Sequence, residues 1–201
     1  MGVSCIFLLD VPEGKTGQQL TEHLQKKIEF LSGEKCGSWS MDCETYQAAQ
    51  NLDPPSKLIH LIHSSDYPLL TFSVLENNLC LAAENSLDSL LSKLKLFYTP
   101  RKSGKIEAKG TKYVFGDFIV KLGNVTQQSS FKGVIAEVIY EPCSDVVQCW
   151  NLLKEFINYT IDKNIKLPEQ PRSVVDKKQG LFTASDTMLQ YVETLSLNKK
   201  T

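Results

Sequence analysis

Lys105-Ile106-Glu107-Ala108-Lys109-Gly110-Thr111-Lys112-Tyr113-Val114-Phe115-Gly116-Asp117-Phe118-Ile119-Val120-Lys121-Leu122-Gly123-Asn124-Val125-Thr126, resuming after a polar gap as Phe131-Lys132-Gly133-Val134-Ile135-Ala136-Glu137-Val138-Ile139-Tyr140-Glu141-Pro142-Cys143, decides the fold. β-Branched or aromatic side chains recur at alternate positions, the period of a strand with two different faces. The pattern breaks at Gly116-Asp117 and at residues 127–130. Small polar residues at those breaks predict tight reversals. The whole reads as an antiparallel meander, and it holds no obvious chemistry.

Upstream of the meander, residues 3–9 read as a strand with Val3, Cys5, Phe7 and Leu9 on one face. Thr16 and Gln19 fit a capping box, which ties down free amides at a helix start. Leu20, Leu24, Ile28 and Leu31 follow at helical spacing, so residues 16–31 are predicted helical and Ser32-Gly33 stops them. Trp39, Met41 and Cys43 alternate with polar residues, as in a half-buried strand. Residues 48–56 read as a loop and 58–63 as a strand. Residues 69–75 and 79–83 read as a hairpin around Glu76-Asn77-Asn78. Asn85 or Ser86 opens a helix whose face is Leu87, Leu90, Leu91, Leu94 and Phe97, and a turn over residues 100–104 leads into the meander.

Downstream, residues 145–161 predict a helix with Val146, Val147, Trp150, Leu153, Phe156 and Ile157 on one side. Residues 162–180 are polar, contain Pro168 and Pro171, and read as an exposed loop. A last helix starts near Ser185 or Asp186 and presents Met188, Tyr191, Val192 and Leu195. Strands in hairpin-linked runs favour an α+β domain over residues 1–201. About eight strands would leave awkward edges unless the sheet curls. The expectation is a strongly curled, barrel-like, mostly antiparallel sheet with about four flanking helices.

Composition narrows the function. Lys and Arg total 22 against 23 Asp and Glu, a net charge of −1. Such a balance provides no global field toward nucleic acid or an anionic membrane. The arginines are Arg101 and Arg172 alone, and arginine is the preferred reader of guanine edges and phosphates. Six cysteines without a Cys-x-x-Cys pair read as reduced thiols, mostly in the core. No stretch approaches the roughly 20 apolar residues that a membrane helix needs.

His60 and His63, three apart on a strand, point to opposite faces and cannot easily share one metal. Asp42 and Glu44, two apart, point the same way and could share a divalent cation. Barrel-lumen phosphohydrolases use such pairs, but they need a second acidic pair facing the first, with bases to hold phosphate. Glu137 and Glu141 share a face, although Pro142 puts Glu141 at the strand end. Lys105, Lys109, Lys112, Lys121 and Lys132, interrupted by Glu107, Asp117 and Glu137, read as a mixed-sign solvated sheet face. No Gly-rich phosphate loop or Gly-x-Ser-x-Gly elbow is present. Cys149, beside Trp150, reads as core.

Several collinear blocks carry a resemblance. They are Met1-Gly2-Val3, Glu13-Gly14-Lys15, Asp42-Cys43-Glu44-Thr45-Tyr46, residues 63–68, residues 72–84, residues 105–113 and residues 117–126. Cys149-Trp150 with its helix and residues 184–191 complete the set. In order and number they resemble the subunit 20 family of the Mediator complex, the TRF-proximal protein of its head module. Residues 47–56, 162–180 and the C-terminal tail depart from the pattern. The resemblance implies a curled barrel without enzymatic activity or cofactor, located in the nucleus. It implies pairing with a related subunit 18-like barrel, joined to the head by a helix of subunit 8. The assembly would bridge transcription activators to RNA polymerase II, without direct nucleic-acid or membrane contact. Tyr113, Phe115 and Tyr191 are the candidate partner anchors. The alternative is a metal-dependent phosphohydrolase of the RNA triphosphatase tunnel type using Asp42 and Glu44. Four or more converging lumen carboxylates would favour that alternative, and an apolar-filled lumen would oppose it.

Overall fold

The computed structural model describes residues 2–49, 57–102, 104–163, 165, 167 and 181–197. In chain order the elements are β1 (Val3–Leu9), α1 (Gly17–Phe30), β2 (Glu34–Ala48), β3 (Leu58–Ser64), β4 (Leu70–Leu75) and β5 (Cys80–Glu84). They continue as α2 (Ser86–Lys93), β6 (Tyr98–Pro100), β7 (Ile106–Phe115), β8 (Phe118–Gln127), β9 (Ser130–Tyr140), α3 (Val146–Thr160) and α4 (Ala184–Leu197).

β7, β8 and β9 form the predicted meander, with Gly110 opposite Gly123 and Lys121 opposite Glu137. Gly116 at the first reversal takes φ +57°, a left-handed conformation that glycine adopts without steric cost. At the second, Gln128 and Ser129 both take positive φ, the backbone twist that suits a two-residue hairpin. The sheet order is β1-β9-β8-β7-β2-β3-β4-β5, with β6 also paired to β2. Every pairing is antiparallel.

The sheet is strongly curled. Ile6 of β1 and Phe72 and Val74 of β4 come from opposite ends of the strand order, yet share one buried cluster. Its edges β1 and β5 do not pair with each other. α4 lies in the concavity against β1, β4 and β5, and contributes Met188, Leu189, Tyr191 and Leu195 to that cluster. The four helices of the described residues, the number expected, thus divide between the two faces of the sheet. On the convex side α1 and α3 bury Leu24, Ile28, Trp150 and Leu153 against Cys5, Phe7, Leu122 and Val138. α2 seats Leu91 on Tyr46 and Leu61. β1 is thus apolar on both faces, as a strand buried on both sides must be. Each fully buried Leu or Ile of this kind contributes about 1.5–3 kcal/mol.

Local rules operate as the sequence predicts at α1. Thr16 accepts from the Gln19 amide, and the Gln19 side chain accepts from the Thr16 amide. At α2 the cap residue is Asn85, but its side chain does not cap the helix. Its amide nitrogen donates to the Pro68 carbonyl and its oxygen accepts from the Thr71 hydroxyl, tying the helix start to the β3–β4 turn. Two strand features went unforeseen. β2 is 15 residues long and carries an irregularity between Lys35 and Gly37. β6 is a three-residue strand in which Pro100 occupies an end position. Residues 50–56 and most of 162–180, both expected to be loops, lie outside the described residues.

One row of side chains across the concave face explains two glycines. Trp39 stands opposite Gly110, which stands opposite Gly123. A Cβ at Gly110 would lie 1.9 Å from the Leu122 carbonyl oxygen. At Gly123 it would lie 2.5 Å from the Lys109 carbonyl oxygen and 3.0 Å from the Trp39 ring. The glycines let the strands approach and leave the indole room to lie over them.

Candidate functional site

The period of two assigns every charged side chain of the meander to one face or the other. Glu107 and Lys109 fall on the convex face of β7, where they pair at 2.7 Å in solvent. Lys112, Lys121 and Glu137 fall on the concave face. Lys121 and Glu137 are buried, with side chains only 4% and 2% exposed, so the expected solvated stripe is corrected at these two positions. The curl of the sheet turns their face inward, and α4 covers it.

These charges are balanced inside the fold. The Lys121 ammonium donates to Glu137 at 2.8 Å and also to Asp66 from the β3–β4 turn. Tyr191 of α4 donates its hydroxyl to the same Glu137 oxygen at 2.6 Å. Lys112 stands 3.8 Å from the other Asp66 oxygen, and the Trp39 ring centroid lies 6.0 Å from the Lys121 nitrogen. Burial by itself would lower the Lys121 pKa, but the charges of Glu137 and Asp66 more than offset it and hold the ammonium charged. Burial, followed by the Glu137 charge, raises the Tyr191 hydroxyl far above its ordinary range. It stays a neutral donor.

The cavity beside this cluster holds about 40 Å³ and is bounded by Ser4, Asp66, Lys121, Glu137, Thr187 and Tyr191. Pockets that enclose small-molecule ligands run to roughly 300–1,000 Å³. This space suits a water rather than a triphosphate. Two carboxylates converge on Lys121 among the described residues, and the apolar side of α4 fills the rest of the concavity.

Asp42 and Glu44 point the same way, as their spacing requires, but toward the convex face. Met41 and Cys43 between them face the concave cluster. Asp42 Oδ1 lies 3.0 Å from His63 Nδ1 and 3.0 Å from the Lys105 ammonium. His63 Nε2 reaches Asp88 of α2 at 2.9 Å. Glu44 accepts from Tyr46 at 3.3 Å. The pair is therefore not a lumen site, and the acid that flanks His63 on its other side comes from a helix. His60 points elsewhere and pairs with Thr45 at 3.0 Å. Among the described residues, no three His, Cys, Asp or Glu side chains are placed to hold a metal ion. Cys149 is buried in the α3 core, and burial, followed by neighbouring Cys143, pushes its thiol up to about 12. Among the described residues, no helix is long and apolar enough to cross a membrane.

The three expected anchors separate. Tyr113 is 1% exposed beneath α1, with its hydroxyl 3.5 Å from Glu29. Tyr191 is 2% exposed and bonded to Glu137. Both rings are buried in this fold, Tyr113 in the cluster under α1 and α3 and Tyr191 in the concave cluster. Phe115 remains half-buried at a strand end and meets Phe156 of α3 edge-on at 5.3 Å. Sequence reasoning missed Lys121, Glu137 and Asp66 as a buried unit. Their alternation was visible, but the face that turns inward was not.

Together these features define a strongly curled antiparallel sheet whose concavity is plugged by its own helix, with Lys121 and Glu137 paired inside it. Residues 1–196 match the family described as TATA-binding related factor (TRF) of subunit 20 of Mediator complex. The chain is 41% identical to Mediator of RNA polymerase II transcription subunit 20 of Xenopus laevis, over 204 residues covering 100% of this chain and 96% of that protein. The Homo sapiens protein of the same name is 39% identical, with 100% and 95% covered. A solved structure of a conserved hypothetical protein of Pyrococcus furiosus shares the fold at TM-score 0.50 and 10% identity, covering 87% of this chain and 99% of that one. The chain belongs to the Mediator subunit 20 family.

Proposed function

We propose that this chain is a non-enzymatic subunit of the Mediator head module and acts in the nucleus. It pairs with a subunit 18-like barrel, is joined to the head through subunit 8, and helps bridge transcription activators to RNA polymerase II. Family membership over nearly the whole chain supports the assembly role. The observation that carries the non-enzymatic reading is the plugged concavity. The face that a tunnel enzyme would line with carboxylates holds Trp39, Met41, Phe72 and α4 instead, and its ion pairs are already satisfied. Phe115, the expected anchor that retains accessible surface, is proposed to touch the partner.

Co-expression with the subunit 18-like protein of the same species, followed by size-exclusion chromatography with light scattering, tests this reading. A stable one-to-one complex is expected. Failure to co-migrate at micromolar concentration overturns the pairing. The phosphohydrolase alternative predicts metal-dependent release of phosphate from a 5′-triphosphorylated RNA, abolished by Asp42→Asn. Metal-dependent turnover of that kind would overturn the scaffold reading.

A further inference from the structure

The two edges of the curled sheet are treated differently, and the difference locates a docking surface. The outward backbone groups of β1 are capped by α4. The Ile6 amide donates to the Gln190 side-chain oxygen at 3.2 Å, and the Gln190 amide nitrogen donates to the Ser4 carbonyl at 3.0 Å. The Thr194 hydroxyl reaches the Ile6 carbonyl at 3.5 Å. Gln190 thus acts as a short stand-in strand, a device that blunts an edge.

α4 also packs against β5, but no described strand pairs with its outer edge, and Ala82 there is exposed. Leu75 donates to the Leu79 carbonyl at 2.9 Å at the hairpin end, so hydrogen-bonded pairs fall at Ser73/Leu81 and Thr71/Ala83. The alternation of antiparallel ladders then directs the Ala82 amide and carbonyl to the outer edge. The edge strand contains no proline and is uncharged over Cys80-Leu81-Ala82-Ala83, its one charge being Glu84 at the end. Leu79 and Leu81 are 47% and 50% exposed, and Leu90 of the adjoining α2 is 51% exposed. The strand ends on Glu84 and is preceded by Glu76 in the hairpin turn.

The geometry points to β5 as the edge that receives an extended segment of a partner protein, apolar at its centre and basic at its ends. Main-chain bonds at Ala82 give the register, Leu81 and Leu90 give the apolar contact, and Glu84 selects a basic flank. A second copy of this chain fits less well. Two five-residue edges overlap for only about 17 Å, a contact well short of the ~1,200 Å² of a stable interface. A partner that adds a strand and continues over α2 has no such limit. This names a surface for the assembly reading and rests on it for the partner's origin.

The test uses the full chain and a fluorescein-labelled, end-capped peptide, Lys-Val-Thr-Val-Thr-Val-Lys, read by fluorescence anisotropy. Saturable binding is expected, weakened at least tenfold by Ala82→Pro, which removes the outward amide at an edge position where proline is tolerated. Circular dichroism establishes that this variant is folded. Glu84→Lys should weaken the Lys-ended peptide and favour its Glu-ended counterpart, a swap that misfolding does not produce. Absent binding, or binding unchanged in both variants, overturns the docking edge. A concentration-dependent dimer of the chain alone, abolished by Ala82→Pro, overturns the choice of a foreign partner. Complex formation with the subunit 18-like protein is scored separately, so loss of the assembly reading and loss of the β5 edge give different results.

Discussion

The Tyr191 hydroxyl donates to the Glu137 carboxylate at 2.6 Å, and through that bond α4 is joined to the buried ion pair of the sheet. The helix is held by shape on its apolar side, by the Gln190 and Thr194 bonds to β1, and by this contact to a charge. Tyr191→Phe keeps the ring and removes the donor. It should destabilise the fold by about 1–3 kcal/mol, measured by urea denaturation. An unchanged midpoint would show that Glu137 is fully satisfied by Lys121.

Lys121 and Glu137 should behave as a unit. Lys121→Met leaves an uncompensated buried carboxylate, an effect of about 3–5 kcal/mol. The double variant Lys121→Met with Glu137→Leu should recover part of that loss, because the buried carboxylate is gone, while the Tyr191 hydroxyl is left without its acceptor. A double-mutant cycle with additive losses would contradict the coupling seen in the geometry.

His63 makes the seating of α2 sensitive to pH. Burial by itself lowers its pKa, but the hydrogen bond and charge of Asp42, then those of Asp88, more than offset this and raise it above the ordinary value of 6.5. Lys105, bonded to Asp42, is the opposing cation on this face. A raised folded pKa favours the charged imidazole in the native state. The contribution is therefore complete below the unfolded pKa and is lost as pH rises through the folded one. The stability difference between wild type and His63→Gln should be larger at mildly acidic pH than at alkaline pH, and the protection of α2 amides relative to their intrinsic exchange rates should fall at alkaline pH in wild type but not in the variant. A pH-independent difference would show that His63 packs without acting as a cation.

Gln190→Leu should uncap the β1 edge. Two buried main-chain groups lose their partners, an effect of about 1–3 kcal/mol. The exposed edge should also promote association through β1. Light scattering against concentration checks this, and a monomer as stable as wild type would show that water replaces the amide.

Much of the architecture was legible because it rests on local periodicity. The alternation of residues 106–140 specifies three strands and two reversals, and Thr16 with Gln19 specifies a helix start. β6 was not legible, since three residues ending in proline carry no period of their own. The burial of Tyr113 and Tyr191 was not legible for a related reason. A large aromatic on an alternating strand, or on a helix face, looks the same whether that face meets solvent or another helix.

The linear chain determined which residues alternate, where the strands reverse, and to which family the protein belongs. Those features depend on neighbours in sequence and on accumulated identity along it. Only the tertiary structure decided that Asp42 and Glu44 face outward, that Lys121 and Glu137 face inward, and that Gln190 seals one edge while β5 lies uncovered by any described strand. A strand's period of two defines two faces without naming either as inside. The direction of curl, and the helix that fills it, come from contacts between residues distant in sequence, such as Glu137 and Tyr191 or Ile6 and Gln190.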